Sequence, residues 1–313
     1  MSRFGPVSAR LADGRLHLQQ GPIDLILEVF AAPQQRETAF AAAQARFDRV
    51  LTELVAELPE LRRNVLISHS ILRGTIARRM AAATAPLAER HFITPMAAVA
   101  GAVADEVLEA MKQAAVFEKA YVNNGGDIAL FLSNRHTFVT GLAADPRKAQ
   151  LDGRFTVSAG DPVGGIATSG RHGRSLSLGI ADSVTVLAGN AAAADAAATV
   201  IANSVDLPGN PAIERQAAKE LDPDSDLGNL AVTTGLGTLT EREIEAAVQK
   251  GFEEAVRLQR AGLIHAAILT LRGHVQVCDA PDRPLASNFG AIPPRSEDSA
   301  VFHRKTTVGG VHA

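Results

Sequence analysis

The sequence lacks several features that mark specialised classes of protein. It contains no tryptophan, one tyrosine and one cysteine, Cys278, among 313 residues. A single cysteine excludes an internal disulfide and a cysteine-rich metal site, and we expect Cys278 to pack in the interior. The shortage of Trp and Tyr leaves only phenylalanine to stack on unpaired bases. Because the net charge is −3, we expect no nucleic-acid partner, which would need a basic face.

Long apolar runs and targeting signals are also missing. No stretch of about 18 uninterrupted apolar residues is present, so we expect no membrane span. The first residues, Met-Ser-Arg-Phe-Gly-Pro, contain no apolar core of a signal peptide, and we therefore expect a cytoplasmic protein. The chain does have an ordinary globular composition, with 46% hydrophobic and 21% charged residues, which argues against disorder of the whole chain.

The spacing of apolar residues predicts helices and antiparallel strands without a regular βαβ alternation, which indicates an α+β fold. Helices are predicted over 33–58, 76–83, 95–115, 191–204 and 240–262, with Asn190 as an N-cap and a capping box at 240–243. Strands are predicted over 15–20, 23–30, 65–68, 119–123, 128–132, 138–142, 154–157, 165–168, 184–188, 230–233, 263–271 and 274–278.

One domain is expected over residues 1–278. No internal repeat or strong linker precedes residue 279. From Ala280 onward, Pro, Ser, Asn and charged residues replace the periodic pattern, so we expect 279–313 to be an extended or disordered tail. The small residues of 97–104 and the apolar run 263–271 fit close packing, either inside one chain or across a symmetric homodimer.

The first candidate site is the segment Asn123-Asn-Gly-Gly-Asp127, which lies between two predicted strands. Two interpretations stay open. These residue types tolerate positive φ and suit a tight hairpin turn. Glycine also allows a ligand to approach the backbone closely.

A second candidate is the glycine-rich segment 160–175. Its glycines, with Thr168, Ser169, Arg171 and Arg174, supply backbone N–H, hydroxyl and guanidinium donors within a short stretch. Such a donor set suits an anion such as a phosphate. A flexible surface loop with solvated arginines would produce the same pattern.

The third candidate is the pair Asp195 and Thr199 on a helix otherwise rich in alanine. Residues four apart share one helix face, so both oxygens can reach one Mg²⁺ ion. The ordinary alternatives are an aspartate that interacts with the helix dipole and a threonine that bonds back to a carbonyl.

Two further patterns favour ordinary structure. The segment Asp222-Pro-Asp-Ser-Asp226 lacks the glycine and terminal glutamate of an EF-hand loop, so we expect a solvated loop. His69 stands between Ser68 and Ser70, but neighbours in sequence do not face each other on a strand, so no nucleophile pair is expected.

Four segments follow one another in a fixed order: Phe92–Asp105, Val122–Ile128, Ile166–Arg171 and Ala194–Thr199. Together they resemble the ApbE family, the flavin transferases that use Mg²⁺ to attach FMN from FAD to a Ser or Thr of another protein. The resemblance covers roughly residues 15–275 and points in particular to the uncharacterised cytoplasmic ApbE-like branch of that superfamily.

The resemblance implies a single ApbE-like (T-fold-like) domain of antiparallel sheets packed with long helices, with Mg²⁺ and an FAD or related nucleotide as ligands. It implies metal ligation by Asp195, Thr199 and a backbone carbonyl near Val99. The residues expected around the nucleotide, including the donors named above, are Gly101, Asp105, Asn123, Gly125, Gly126, Asp127, Thr168, Ser169, Gly170, Arg171 and Arg174.

The chain also departs from the family pattern. Ala100 stands where the family has a lysine, and the interval 172–182 lacks the family's Pro-x-Thr-Gly turn. Arg171 or Arg174 would have to replace the missing charge. Three hypotheses follow: a Mg²⁺-dependent flavin-nucleotide enzyme with a protein or small-molecule acceptor, a different enzyme of sulfur assimilation or small-molecule metabolism on the same scaffold, and a non-catalytic flavin- or nucleotide-binding protein.

Overall fold

The structure of the protein is a computed structural model that describes residues 5–68, 71–142, 153–173 and 175–279. The strands are β1 (Val7–Arg10), β2 (Leu16–Gln20), β3 (Ile23–Phe30), β4 (Lys119–Asn124), β5 (Asp127–Leu132), β6 (Thr137–Leu142), β7 (Gly153–Ser158), β8 (Gly165–Ser169), β9 (Ser183–Ala188), β10 (Ile213–Ala217), β11 (Ala231–Leu236), β12 (Ala266–Leu271) and β13 (His274–Cys278). The helices are α1 (Pro33–Ala56), α2 (Leu58–Leu61), α3 (Val65–Ser68), α4 (Thr75–Thr84), α5 (Val99–Ala114), α6 (Ala191–Ser204), α7 (Ala218–Leu221) and α8 (Glu241–Arg260). Two 3-10 turns cover Ala85–Leu87 and Pro95–Ala98.

The long periodic elements lie where the sequence predicts them, and both predicted caps are confirmed. The Asn190 side chain accepts a hydrogen bond from the Ala193 N–H at 2.8 Å, and the Thr240 and Glu243 side chains accept from each other's backbone N–H in a capping box. Apart from Asp279, the tail expected over 279–313 lies outside the described residues, as do His69 and Ser70.

The prediction of a strand over 65–68 is wrong, because this segment is the short helix α3. The Asn64 side chain accepts a hydrogen bond from the Leu66 N–H at 3.0 Å, which favours a helical turn over an extended backbone. Three apolar residues followed by a serine are too few for periodicity to separate a strand from a helix. The exposed strand β1 and the polar strand β10 were not predicted.

Nine strands form one antiparallel sheet in the order β1-β2-β3-β4-β5-β8-β9-β12-β13, and β6-β7 and β10-β11 form separate ribbons. The helices follow the order of the sheet. α1 contacts β2 and β3, α5 contacts β4 and β5, α6 contacts β8 and β9, and α8 contacts β12 and β13. These mixed helices and antiparallel strands make one α+β domain, as expected.

Side chains alternate between two apolar layers along the central strands. Ala120, Val122 and Ala129 belong to the large core on the helix side of the sheet. Tyr121 and Ile128 belong to a smaller core on the opposite side, with β6 and β7. This period of two fixes which strand residues can face the helices.

The lone cysteine has the packing role that was expected. Cys278 lies at the end of β13, is 3% exposed, and burial raises the pKa of its thiol to about 11. No helix in the described ranges has both the length and the apolar character needed to cross a bilayer.

Candidate functional site

The helices α5 and α6 approach each other closely where both begin. A Cβ atom at Gly101 would lie 2.2 Å from the Ala191 carbonyl oxygen, so only glycine allows this contact. The Asp105 carboxylate accepts hydrogen bonds from the N–H groups of Ala191 and Ala192, at 3.0 and 2.9 Å. In return, the Asp195 carboxylate accepts a hydrogen bond from the Gly101 N–H at 3.0 Å. Each helix therefore supplies an aspartate to the N-terminus of the other, and we call Asp105 and Asp195 the reciprocal caps.

A third carboxylate, that of Asp127, lies close to the reciprocal caps. Asp127 begins β5 two residues before Ala129, so strand alternation places its side chain on the helix side of the sheet. Burial raises the pKa of Asp195 well above its ordinary value, and the negative charges of Asp127 and Asp105 add to this effect. Burial also raises the pKa of Asp105, although two backbone amides oppose the shift. We call these three residues the carboxylate cluster.

The segment from Asn123 to Asp127 forms a tight hairpin turn, as one of the two interpretations predicts. Gly125 and Gly126 have φ angles of 62° and 123°, and the Asn123 side chain accepts a hydrogen bond from the Gly126 N–H at 2.9 Å. The turn still contributes to the site, because the Asn124 side chain donates to the Ala100 carbonyl at 3.1 Å. Sequence reasoning missed Asn124 as a residue that holds the start of α5.

Residues 165–169 of the glycine-rich segment form the strand β8 and not a flexible loop. A Cβ atom at Gly165 would lie 2.1 Å from the Ala191 nitrogen, and one at Gly170 would lie 2.6 Å from the Asp182 carbonyl oxygen. These two glycines therefore allow close packing inside the protein. The Thr168 hydroxyl pairs with the Thr185 hydroxyl at 2.8 Å, and by alternation with Ile166 it lies on the face opposite the helices.

The donors of this segment are largely engaged within the chain. The Arg171 guanidinium donates two hydrogen bonds to one Asp182 oxygen, at 2.9 and 2.5 Å. The Thr168 N–H donates to the Asp127 carboxylate at 3.2 Å, which links β8 to the carboxylate cluster. Ser169 lies on the helix side by alternation with Ala167. Arg174 lies outside the described residues.

Of the predicted metal ligands, Asp195 lies at the α5–α6 contact, where it accepts the Gly101 N–H. Val99 is the first residue of α5, and Thr199 follows Asp195 by one turn of α6 and is half-buried. In the described part of the chain, no three His, Cys, Asp or Glu side chains are arranged to hold a metal. A cation here would therefore depend on mixed oxygen donors, namely the Asp195 carboxylate, the Thr199 hydroxyl and the Val99 carbonyl. Such hard oxygen donors suit Mg²⁺.

The sequence is similar to a family model described as AbpE bacteria, which matches residues 8–277. The UPF0280 protein of Methanothermobacter thermautotrophicus is 35% identical over 153 residues, which are 49% of this chain and 57% of that protein. The UPF0280 protein MK0206 of Methanopyrus kandleri is 40% identical over 116 residues, 37% of this chain and 45% of that protein. The chain thus matches about half the length of these curated relatives.

Two solved structures align with most of this chain. The ApbE protein of Thermotoga maritima is 13% identical, with a TM-score of 0.43 over 88% of this chain and 97% of that chain. The flavinyl transferase ApbE of Pseudomonas stutzeri, in its apo form, is 11% identical, with a TM-score of 0.41 over 92% of this chain and 99% of that chain.

Proposed function

The chain belongs to the family described as AbpE bacteria, and from this premise we propose that it is a Mg²⁺-dependent enzyme acting on a flavin nucleotide, FAD in particular. The observation that carries the proposal is the carboxylate cluster, in which the half-buried Asp195 lies near the like charges of Asp127 and Asp105. No lysine or arginine of the described residues forms an ion pair with Asp195. A bound divalent cation would relieve the repulsion among the three carboxylates.

The two aspartates of the reciprocal caps differ in the hydrogen bonds that their carboxylate oxygens accept. Both Asp105 oxygens accept hydrogen bonds from α6, so we assign Asp105 a positioning role. The Asp195 carboxylate accepts the Gly101 N–H with one oxygen, and the Ala100 N–H also lowers its pKa; its remaining lone pairs leave capacity for a cation. Mg²⁺, when bound, would polarise phosphoryl oxygens and help to neutralise the charge that develops on them. Asp195, Thr199 and the Val99 carbonyl would hold it beside the small residues at the start of α5.

The proposed chemistry is substitution at the FMN phosphorus of FAD. An acceptor hydroxyl oxygen forms the new P–O bond, the P–O bond to AMP breaks, and AMP leaves with the electron pair. The hydroxyl proton passes to solvent. With a Ser or Thr of a protein as acceptor the product is an FMN-protein ester, and with water the products are FMN and AMP. Neither the acceptor nor the general base is assigned to a residue of this chain.

A second candidate function is flavin or nucleotide binding without transfer. Reduced positive charge at the site favours this function. Ala100 occupies the family's lysine position, and Arg171 is already ion-paired with Asp182. If a second cation is needed to stabilise the departing AMP, binding would occur and no AMP would be released.

The test is calorimetry of FAD with Mg²⁺ and with EDTA, on the wild type and on Asp195→Asn. Asparagine keeps an acceptor for the Gly101 N–H but removes the charge, so folding is retained while metal binding is lost. We expect binding that requires Mg²⁺ and weakens at least about tenfold in Asp195→Asn. Thr199→Val should show a smaller loss of the same kind.

Asp48→Asn is the matched control, since Asp48 is an exposed residue of α1, and it should bind FAD like the wild type. An FAD affinity that is unchanged by EDTA and by Asp195→Asn would contradict the proposed site. Complete absence of FAD binding would show that another ligand has replaced flavin on this scaffold. AMP release, measured by chromatography, then separates the enzyme from the binding protein.

A further inference from the structure

A pocket of about 560 Å³ lies between α4 and α6, and the function proposed above does not use it. Its volume falls within the range of small-molecule sites in proteins. Arg78 and Arg79 of α4 line it on one side, and Ala193 and Ala197 of α6 line it on the other. We call it the α4–α6 pocket.

The α4–α6 pocket faces away from the carboxylate cluster. An α-helix turns by about 100° per residue, so Ala193 and Ala197 each lie about 160° around α6 from Asp195. Thr199 lies only about 40° from Asp195, on the same face. The pocket and the proposed metal ligands therefore occupy opposite faces of one helix, and a ligand in one does not contact the other.

One end of the pocket carries excess positive charge. The Arg78 side chain is exposed and makes no ion pair with the described residues. Arg79 bonds to Glu106 at 3.2 Å, but its Nε–H is buried with no hydrogen-bond partner. Glu106 is shared, because Arg46 also bonds to it at 3.0 Å and the Thr75 hydroxyl donates to it at 2.9 Å. Glu106 therefore cannot neutralise both arginines of the pocket.

The other end is apolar. Along α4 and the turn that follows it, the lining changes from Arg78 and Arg79 to Ala82, Ala83, Pro86 and Leu87. Eight residues of helix span about 12 Å, which sets the distance between the charged and apolar ends. The pocket thus presents guanidinium donors at one end and a continuous apolar wall at the other.

We propose that the α4–α6 pocket binds a small amphipathic anion. A carboxylate or phosphate head group lies against the guanidinium groups of Arg78 and Arg79, where charge-assisted hydrogen bonds are strong. An apolar body of up to about 12 Å lies along Ala83, Leu87 and the alanines of α6. Carboxylate and phosphate share this recognition chemistry, and their relative affinities identify the preferred head group.

The experiment is calorimetry with decanoate, decyl phosphate and decan-1-ol, each below its micelle concentration. We expect at least one of the two anions to bind, and the uncharged alcohol to bind at least about tenfold more weakly. Arg78→Gln should weaken anion binding by at least about tenfold, and Ala83→Phe, which fills the apolar end, should do the same. Arg49→Gln, an exposed arginine of α1, is the matched control and should bind like the wild type.

Several outcomes would overturn the proposal. No binding of either anion at about 1 mM would exclude the pocket as a specific site. Binding that is equal in wild type, Arg78→Gln and Ala83→Phe would place the anion elsewhere. Arg78 is exposed, so its variant folds even if Ala83→Phe does not. Asp195→Asn should bind the anion normally, so this proposal and the proposed flavin site can fail separately.

Discussion

Asp105 is the seventh residue of α5 and Asp195 the fifth residue of α6, and each directs its carboxylate to the start of the other helix. The negative charge of each is favourable at a helix N-terminus, yet burial raises the pKa values of both, and the negative charges of Asp127 and Asp105 raise the pKa of Asp195 further. Asp105 acts entirely within the protein. Asp195 keeps capacity for a further partner, and this difference separates a structural residue from a candidate metal ligand.

Replacing Asp105 by asparagine should destabilise the protein. Asparagine replaces one carboxylate oxygen by an NH2 donor, which would face the Ala191 or the Ala192 N–H and leave that N–H without its acceptor. We expect the free energy of unfolding to fall by about 1–3 kcal/mol, the cost of leaving a buried donor unpaired. Urea unfolding measures this, with Asp48→Asn as control. An equal effect of the two substitutions would contradict the positioning role of Asp105.

Glu254 on α8 should make stability depend on acid pH. Burial alone would raise its pKa, but hydrogen bonds from His91 and Arg257 lower the pKa from 4.5 to about 2. The ionised form is therefore favoured by folding, and this stabilisation is complete above pH 4.5 and lost as the pH falls toward 2.

Substitution by Gln tests this dependence. We expect Glu254→Gln to lower the free energy of unfolding by at most about 3 kcal/mol at neutral pH, and by much less at acid pH. Urea titrations at several pH values provide the comparison. Glu253→Gln, at the exposed neighbouring position, should have little effect at any pH. A cost for Glu254→Gln that did not shrink in acid would refute the role of its ionised form.

At the scale of elements, the contact between α5 and α6 sets the geometry of the candidate site. Helices normally contact each other through side chains, whereas at Gly101 the backbone of α5 lies directly against the backbone of α6 at Ala191. The Ala191 end of α6 also lies against Gly165 of β8. The start of α6 is thus held on two sides by backbone atoms.

Gly101→Ala should therefore be destabilising even though alanine favours helix by about 1 kcal/mol over glycine. The new Cβ would lie 2.2 Å from the Ala191 carbonyl oxygen, and backbone cannot move aside as a flexible side chain can. We expect a net loss of about 3 kcal/mol in unfolding free energy, measured by urea. Gly189→Ala is the control, because a Cβ there meets no atom within 4 Å. Equal stabilities of the two variants would disprove the close contact.

Elements with long periodic patterns could be predicted from the sequence, and short ones could not. The helices α1 and α8 show clear apolar spacing, and α6 and α8 begin at side-chain caps. Val65–Ser68 offers only three apolar residues and a serine, and it forms a helix. The glycines at 165 and 170 suggested an anion loop. Their packing role depends on Ala191 and Asp182, which contact them only in the folded chain. The reciprocal caps could not be predicted for the same reason, because their hydrogen bonds join residues that are far apart in sequence.

At the scale of the whole molecule, the sheet joins parts of the chain that are far apart in sequence. β3 pairs with β4, so that Leu25 lies opposite Asn124, and β9 pairs with β12. Such pairings fold more slowly than local ones. The lone tyrosine, Tyr121 of β4, is 1% exposed at the middle of this sheet, so its spectrum reports on the global fold.

Tyr121 should not ionise while the protein is folded. Burial, and the negative charge of Glu28, raise the pKa of its phenol above the ordinary 10.0. The neutral form is favoured by folding, so stability is complete below pH 10.0 and declines as the pH rises further. We expect phenolate absorbance to develop only together with the loss of far-ultraviolet circular dichroism. Phenolate formation at constant circular dichroism would show that Tyr121 is reached by solvent in the native state.

The reciprocal caps also have a consequence for folding during synthesis on the ribosome. The ribosome releases α5 long before α6, because 94 residues separate Gly101 from Asp195. Until α6 emerges, the Gly101 N–H cannot donate its hydrogen bond to Asp195. The Asp105 carboxylate likewise cannot accept hydrogen bonds from the N–H groups of Ala191 and Ala192. These hydrogen bonds between the helices can therefore form only after α6 has been synthesised.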